Sequence, residues 1–128
     1  MSVHHLGLFR DPASLSPVEY YNNLPHSRQT PGRTGNPSAA KLAIIVDPII
    51  ATGGTAAAAI QILKDWGVER IIVLSVLGSA GGLTKAAEEW SEATEIWVAQ
   101  MDQEVTDKGM IKPGLGDIGD RLFLTLGK

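Results

Sequence analysis

The sequence predicts an α/β fold built on a parallel sheet, and three observations predict it. "KLAIIVD" (41–47), "RIIVLSVL" (70–77) and "EIWVAQM" (95–101) are apolar runs of strand length. Continuous runs of this kind mark strands buried on both faces. Segments of helical periodicity lie between them, and strands alternating with helices imply right-handed crossovers and parallel pairing. Glycine-rich stretches, "TGGT" (52–55) and "GSAGG" (78–82), stand at the strand-to-helix junctions.

The elements follow in chain order. "VHHLGLF" (3–9) predicts a first strand with a turn at Arg10-Asp11-Pro12, and "SPVEYYNNLP" (16–25) an extended arm. Residues 26–40, "HSRQTPGRTGNPSAA", carry no large apolar side chain and predict a mobile loop. No acid occurs between Glu19 and Asp47, whereas Arg28, Arg33 and Lys41 do. That stretch is either a small basic flap or a solvated linker with incidental charges. A helix is expected over 55–66, with Ala59, Ile62 and Trp66 on its apolar side and Gln61, Lys64 and Asp65 on its wetter side. Gly67 is the helix stop. After the second strand, "GSAGG" is expected to be a loop and "LTKAAEEWS" (83–91) a short helix. Trp66, Trp90 and Trp97 sit in periodic segments and are assigned to packing.

Bulk properties set the class. A chain of 128 residues is one domain by the usual length prior. Hydrophobic residues make up 44% and charged residues 20%, the balance of a globular chain rather than a disordered one. The net charge of −3 gives no electrostatic footprint for nucleic acid. No apolar run approaches the ~20 residues of a membrane helix, and "MSVHHLGLFRD" is not built like a signal peptide. With no cysteine there is no disulfide or thiolate chemistry, which fits a cytoplasmic setting. His4 and His5 are neighbours on a predicted strand and point to opposite faces, so no metal site is expected there.

The chemistry concentrates at 47–55. Two glycines let the backbone approach a ligand without Cβ contacts. Thr52 and Thr55 add hydroxyls, Thr55 is also placed to cap the helix, and the helix start offers free N–H groups. The glycines are not followed by Lys-Ser/Thr, and there is no GxGxxG, which argues against nucleoside triphosphatases and ordinary dinucleotide enzymes. A bare TGGT is equally a tight strand-to-helix turn. Asp47 sharpens the other reading, because a carboxylate at a buried strand end needs partners. Sugar hydroxyls are suitable ones. An acid for the ribose and a Thr/Gly cradle for its 5′-phosphate describe a ribose-5-phosphate site.

"IIVDPIIATGGTAAAAI" (44–60) resembles the phosphoribosyl pyrophosphate (PRPP) motif of the type I phosphoribosyltransferases, in the variant of the uracil phosphoribosyltransferase branch. "KGMIKPGLGDIGDRLF" (108–123) is similar to that branch's uracil loop, and "LGLFRD" with "PVEYYNNLP" to its segment before the flexible arm. The three motifs occur in the family's order across nearly the whole chain, and "DWGVERIIVLSVL" looks closest to fungal members.

The resemblance implies a parallel-sheet, Rossmann-like phosphoribosyltransferase domain over 1–128, N-terminally incomplete relative to the family. It implies that uracil and PRPP become uridine monophosphate (UMP) and pyrophosphate in pyrimidine salvage. On the matching positions, PRPP would meet Arg10, Asp47, Pro48, Ile49, Ile50, Ala51, Thr52, Gly53, Gly54, Thr55 and Asp117. Asp47, Arg10 and Asp117 would be the catalytic set. Uracil would meet Ile111, Gly116, Asp117 and Ile118, in a stretch that is otherwise a plain turn cluster. Mg²⁺ would arrive on PRPP's own oxygens rather than in a protein cage. The partners implied are the two small-molecule substrates and a second copy of the chain, as a homodimer or higher association through an apolar sheet edge, with no nucleic acid and no membrane. The family's N-terminal portion, with a further strand and an arginine-bearing loop that grips pyrophosphate, is not among these residues. Two function classes therefore stand at this point: a uracil phosphoribosyltransferase, and a non-catalytic relative that binds PRPP or nucleotide as a regulatory or interaction module. A phosphoribosyltransferase for another base is disfavoured by "PGLGDIGD".

Overall fold

The structure, a computed structural model, describes residues 2–11, 13–14, 16–25 and 40–125. The loop expected at 26–40 therefore lies outside the described residues except for Ala40.

The three apolar runs form one parallel sheet. β3 (Leu42–Val46) and a short β4 (Ile49–Ile50) lie in succession along one side of β5 (Arg70–Ser79), and β6 (Thr94–Asp102) lies along the other. Two helices supply the crossovers, α1 (Gly54–Trp66) and α2 (Ala80–Glu88). Both pack on the same face, where Ile60 and Leu63 of α1 and Ala86 of α2 close over Ile71 and Val73 of β5. Ile60, Ile71 and Val73 have no exposed surface. Burying each such side chain contributes about 1.5–3 kcal/mol.

Among the described residues, none covers the other face of the sheet. Leu42, Ile44, Leu74 and Val76 are exposed, Val46 is 78% exposed and Trp97 65%. This corrects the expectation of strands buried on both faces. Every residue of β3 is apolar, so its composition suits two covers, but the described residues include only one helical layer. It also corrects Trp97 as a packing residue. Trp66 and Trp90 do pack against the core.

Local chemistry sets the element ends. Gly67 closes α1 in the left-handed region at φ 105°, donating to the carbonyls of Leu63 and Lys64. The buried stripe of α1 is Ala56, Ala57, Ala59, Ile60 and Leu63, rotated from the one expected around Ile62 and Trp66. The loop expected at 78–82 is absent: β5 runs through Ser79 and α2 starts at Ala80. Ser79 makes this possible as the N-cap, accepting a hydrogen bond from the Gly82 N–H.

Upstream, β1 (Leu6–Arg10) and β2 (Pro17–Asn22) pair antiparallel, so the expected extended arm is one half of a hairpin. The hairpin end meets α1 at Trp66, whose indole N–H donates to the Pro25 carbonyl at 2.9 Å and whose ring lies 6.4 Å from that of His4. Downstream, β7 (Glu104–Val105) and β8 (Ile111–Lys112) form a second hairpin, followed by a short α3 (Ile118–Phe123). Among the described residues no helix is long and apolar enough to cross a membrane.

Candidate functional site

The site lies at the carboxyl ends of β3, β5 and β6, where parallel sheets of this kind bind ligands. Its first component is a break in the edge strand. The Asp47 N–H donates to the Leu74 carbonyl at 3.1 Å. Pro48 has no N–H to give, so the ladder lapses there. Its carbonyl instead accepts from both Val76 and Leu77, at 3.1 and 3.2 Å, before pairing resumes at Ile49. Asp47 is left half-buried at this break. Burial raises its carboxyl above the ordinary aspartate value, and a hydrogen bond from the Ile49 backbone opposes the shift.

The second component is the glycine loop. Gly53, not Thr55, is the N-cap of α1, at φ 75°, and as a glycine it makes no side-chain cap bond. Thr55 lies inside the first turn, which holds no acid. The helix start therefore presents backbone N–H groups and the positive end of its dipole with no internal countercharge. Gly53 is buried because its loop rests on the start of α2: a Cβ here would meet the Gly82 carbonyl oxygen at 2.2 Å. A Cβ on Gly82 would in turn meet the Ala51 carbonyl oxygen at 2.1 Å. Only paired glycines allow this approach. Ser79 ties it down, donating its hydroxyl to the Ala51 carbonyl at 2.5 Å.

The third component is the segment after β8. Gly114 and Gly116 take φ of 54° and 70°, which L side chains rarely adopt. Asp117 caps α3, accepting from the Asp120 N–H at 3.0 Å. Asp102, at the end of β6, accepts from the Gly114 N–H at 3.1 Å.

Residues from these parts border an open hollow of about 170 Å³, whose lining does not include Asp47. Ile49 and Ala51 line it from the strand break and the glycine loop, and Ile111, Gly116, Asp117 and Ile118 line it from the C-terminal segment. Two stretches some 60 residues apart in sequence are thus brought to one hollow. A cavity of about 150 Å³ takes a benzene ring, so this one suits a single six-membered ring.

Of the other residues named from sequence, Thr52, Gly53, Gly54 and Thr55 stand at the α1 start beside the cavity rather than in its lining. Ile50 is only 2% exposed and its side chain belongs to the core. Arg10 ends β1, and its side chain lies outside the described residues. Sequence reasoning missed Leu77, Gly109, Met110 and Leu115 in the lining, and the two tethers Ser79 and Asp102. Signals for both tethers were present. Ser79 is a good N-capping residue three positions before Gly82, and Asp102 ends an apolar strand as Asp47 does. Among the described residues, no three His, Cys, Asp or Glu side chains gather as a metal cage.

The family model for uracil phosphoribosyltransferase matches residues 1–125. The uracil phosphoribosyltransferase of Roseiflexus castenholzii is 44% identical over 123 residues, which is 96% of this chain and 54% of that protein. That of Bacillus caldolyticus is 44% identical with the same coverage, and the urg2 protein of Schizosaccharomyces pombe is 40% identical over 121 residues, 94% of this chain and 53% of that one. The bacterial relatives thus match at least as well as the fungal one. The solved structure of AQ2163 protein from Aquifex aeolicus superposes with a TM-score of 0.73 at 33% identity, covering 94% of this chain and 52% of that one. The chain spans about half the length of the curated relatives it matches.

Proposed function

The chain belongs to the uracil phosphoribosyltransferase family, and on that premise we propose that it is the ligand-binding part of an enzyme that makes UMP from uracil and PRPP, in pyrimidine salvage. The observation that carries this reading is the cavity shared by Ile49 and Ala51 with Ile111, Gly116, Asp117 and Ile118, which joins a phosphate loop to a ring-sized hollow.

The chemistry divides among the parts already described. Backbone N–H groups at residues 51–55 hold the 5′-phosphate at the helix start. Asp47 accepts from the 2′- and 3′-hydroxyls of the ribose, and those donors offset the cost of its partial burial. The base lies against the 111–118 segment, where backbone N–H and carbonyl groups would read uracil's carbonyl–N–H–carbonyl edge. By the family resemblance, Arg10 and Asp117 would contact PRPP on its pyrophosphate side. In the reaction the bond from ribose C1 to pyrophosphate breaks and a bond from C1 to uracil N1 forms, with loss of the N1 proton. Positioning and stabilisation of the leaving group carry the rate. Mg²⁺ would come with PRPP, held by the substrate's own oxygens, and would offset pyrophosphate charge.

Association with a second copy belongs to the same reading. The exposed Leu42, Ile44, Val46 and Trp97 support it, because a contiguous bare apolar face favours covering. A cysteine-free chain suits the reducing cytoplasm.

The test is calorimetry with UMP and cytidine monophosphate, followed by turnover of uracil and cytosine with PRPP. Cytosine puts an amine where the backbone expects a carbonyl, so UMP is expected to bind at least tenfold more tightly, and buried mismatches reach roughly 10⁴-fold in well-formed sites. Equal affinity for the two nucleotides refutes the base assignment. Selective UMP binding without turnover would instead make the chain a nucleotide-binding relative.

A further inference from the structure

Two polar side chains tie the site to the sheet, and both lie outside the motifs that carry the family resemblance. Ser79 closes β5 and has no exposed surface; its hydroxyl donates to the Ala51 carbonyl at 2.5 Å and accepts from the Gly82 N–H at 2.9 Å. Asp102 closes β6, and its Oδ2 accepts from the part-buried Gly114 N–H at 3.1 Å. The two residues are direct register partners in the β5–β6 ladder. One therefore anchors the phosphate loop and its neighbour anchors the base segment, from adjacent points on a rigid edge.

We propose that Ser79 and Asp102 are paired positioning residues, which set the spacing between the phosphate loop and the base segment. The inference rests on the reading that one ligand spans both.

The two anchors are not equivalent. The phosphate loop is also held by close backbone packing of Gly53 on Gly82 and continues into a 13-residue helix. The base segment has less support: Pro113, Leu115, Gly116 and Asp117 are exposed, and the helix that follows is six residues long with no buried side chain. Turns with so little packing open locally at small cost. The carboxylate of Asp102 supplies a charge-assisted bond to the middle of that turn, and such bonds are about twice as strong as neutral ones. Its loss is felt at the base and not at the phosphate, which is the signature that separates spacing from general stability.

The experiment uses the full chain with Asp102→Leu, which removes the acceptor, and Asp102→Asn, which keeps an acceptor oxygen. Ribose 5-phosphate reports on the loop alone and UMP on loop and base together, both by calorimetry. For Asp102→Leu the expected result is about tenfold weaker UMP with ribose 5-phosphate affinity unchanged within about twofold, and for Asp102→Asn recovery of most of the UMP affinity. Ser79→Ala is expected to weaken both ligands by a similar factor. Unchanged UMP affinity in Asp102→Leu, or equal loss of both ligands, overturns the proposal. Amide exchange of the unliganded chain gives a second readout: residues 109–116 should exchange faster in Asp102→Leu and near wild-type rates in Asp102→Asn, and unaltered exchange in Asp102→Leu overturns the proposal whatever the ligand data. If the native chain binds ribose 5-phosphate but not UMP, the functional reading fails, and the exchange result alone decides whether Asp102 positions the segment.

Discussion

Adjacent glycines at the start of α1 should respond to alanine in opposite directions. Gly53 sits at φ 75°, and its Cβ would come within 2.2 Å of the Gly82 carbonyl oxygen, a main-chain atom that cannot swing aside. A left-handed conformation costs an L residue about 1–2 kcal/mol, and overpacking against fixed atoms adds about 1–3 kcal/mol. Reduced entropy of the unfolded chain returns about 0.4–1 kcal/mol. The net loss for Gly53→Ala is therefore about 1–4.5 kcal/mol, which in a chain of this length lowers Tm by roughly 4–18 °C. At Gly54 the nearest atoms to a Cβ are Pro17 Cδ and Thr52 Oγ1, both at 3.9 Å, with Lys85 Nζ at 4.0 Å, so a methyl fits. This residue opens α1, and alanine there should stabilise by up to about 1 kcal/mol. Thermal unfolding of the two variants, with ribose 5-phosphate titration of each, checks the claim. Comparable destabilisation by both, or a wild-type Tm for Gly53→Ala, refutes the glycine-on-glycine packing. The same contrast repeats across the contact: Gly82→Ala meets the Ala51 carbonyl oxygen at 2.1 Å, while Gly81→Ala meets nothing within 4 Å.

Three further outcomes are expected. Burial raises the Asp47 carboxyl above its ordinary 3.8, so the folded chain holds that proton more tightly than the unfolded chain does. The resulting stabilisation is full below 3.8 and lost as pH rises through the raised value. Asp47→Asn lacks this titration, and its unfolding free energy relative to wild type should climb between acid and neutral pH; a flat difference shows that the carboxyl is not perturbed. The same variant should bind ribonucleotides at least about tenfold less well, since a charged hydrogen bond is worth about 1.5–3 kcal/mol. It should lose less for 2′-deoxy analogues, and equal losses would make Asp47 structural. Finally, Trp97→Glu and Val46→Glu alter exposed positions and should shift sedimentation toward smaller species with little change in Tm; unaltered association would place the contact elsewhere.

The sheet was legible because β3, β5 and β6 are long apolar runs with helices between them, and α1 because Gly67 ends a clear helical period. What composition does not carry is which side of a strand is covered. Leu42, Ile44 and Val46 are as apolar as Ala43 and Ile45, yet only the latter two pack against the core. The loop expected at 78–82 failed for a different reason: Gly78 and Gly82 serve close approach, and Gly81 and Gly82 lie within α2 rather than in a turn. Of the site, Asp47 and the TGGT loop declared themselves through residue type and place at a strand end. The C-terminal segment carried meaning only through its family resemblance, because Gly114, Gly116 and Asp117 have the composition of any turn. Ser79 and Asp102 escaped notice since their partners are backbone groups from distant segments.

Among the described residues, every ladder of the parallel sheet runs through β5, with β3 and β4 on one side and β6 on the other. No two of its neighbours hold each other along the sheet, so they cannot open or close as an independent pair. Exchange of the amides in these four strands should therefore follow a single cooperative event, while the β1–β2 hairpin, paired only within itself, opens on its own schedule. The strand that carries Ser79 is thus also the element whose loss dissolves the sheet, and a chain still assembling has no sheet-borne site until β5 has captured partners from both directions in sequence.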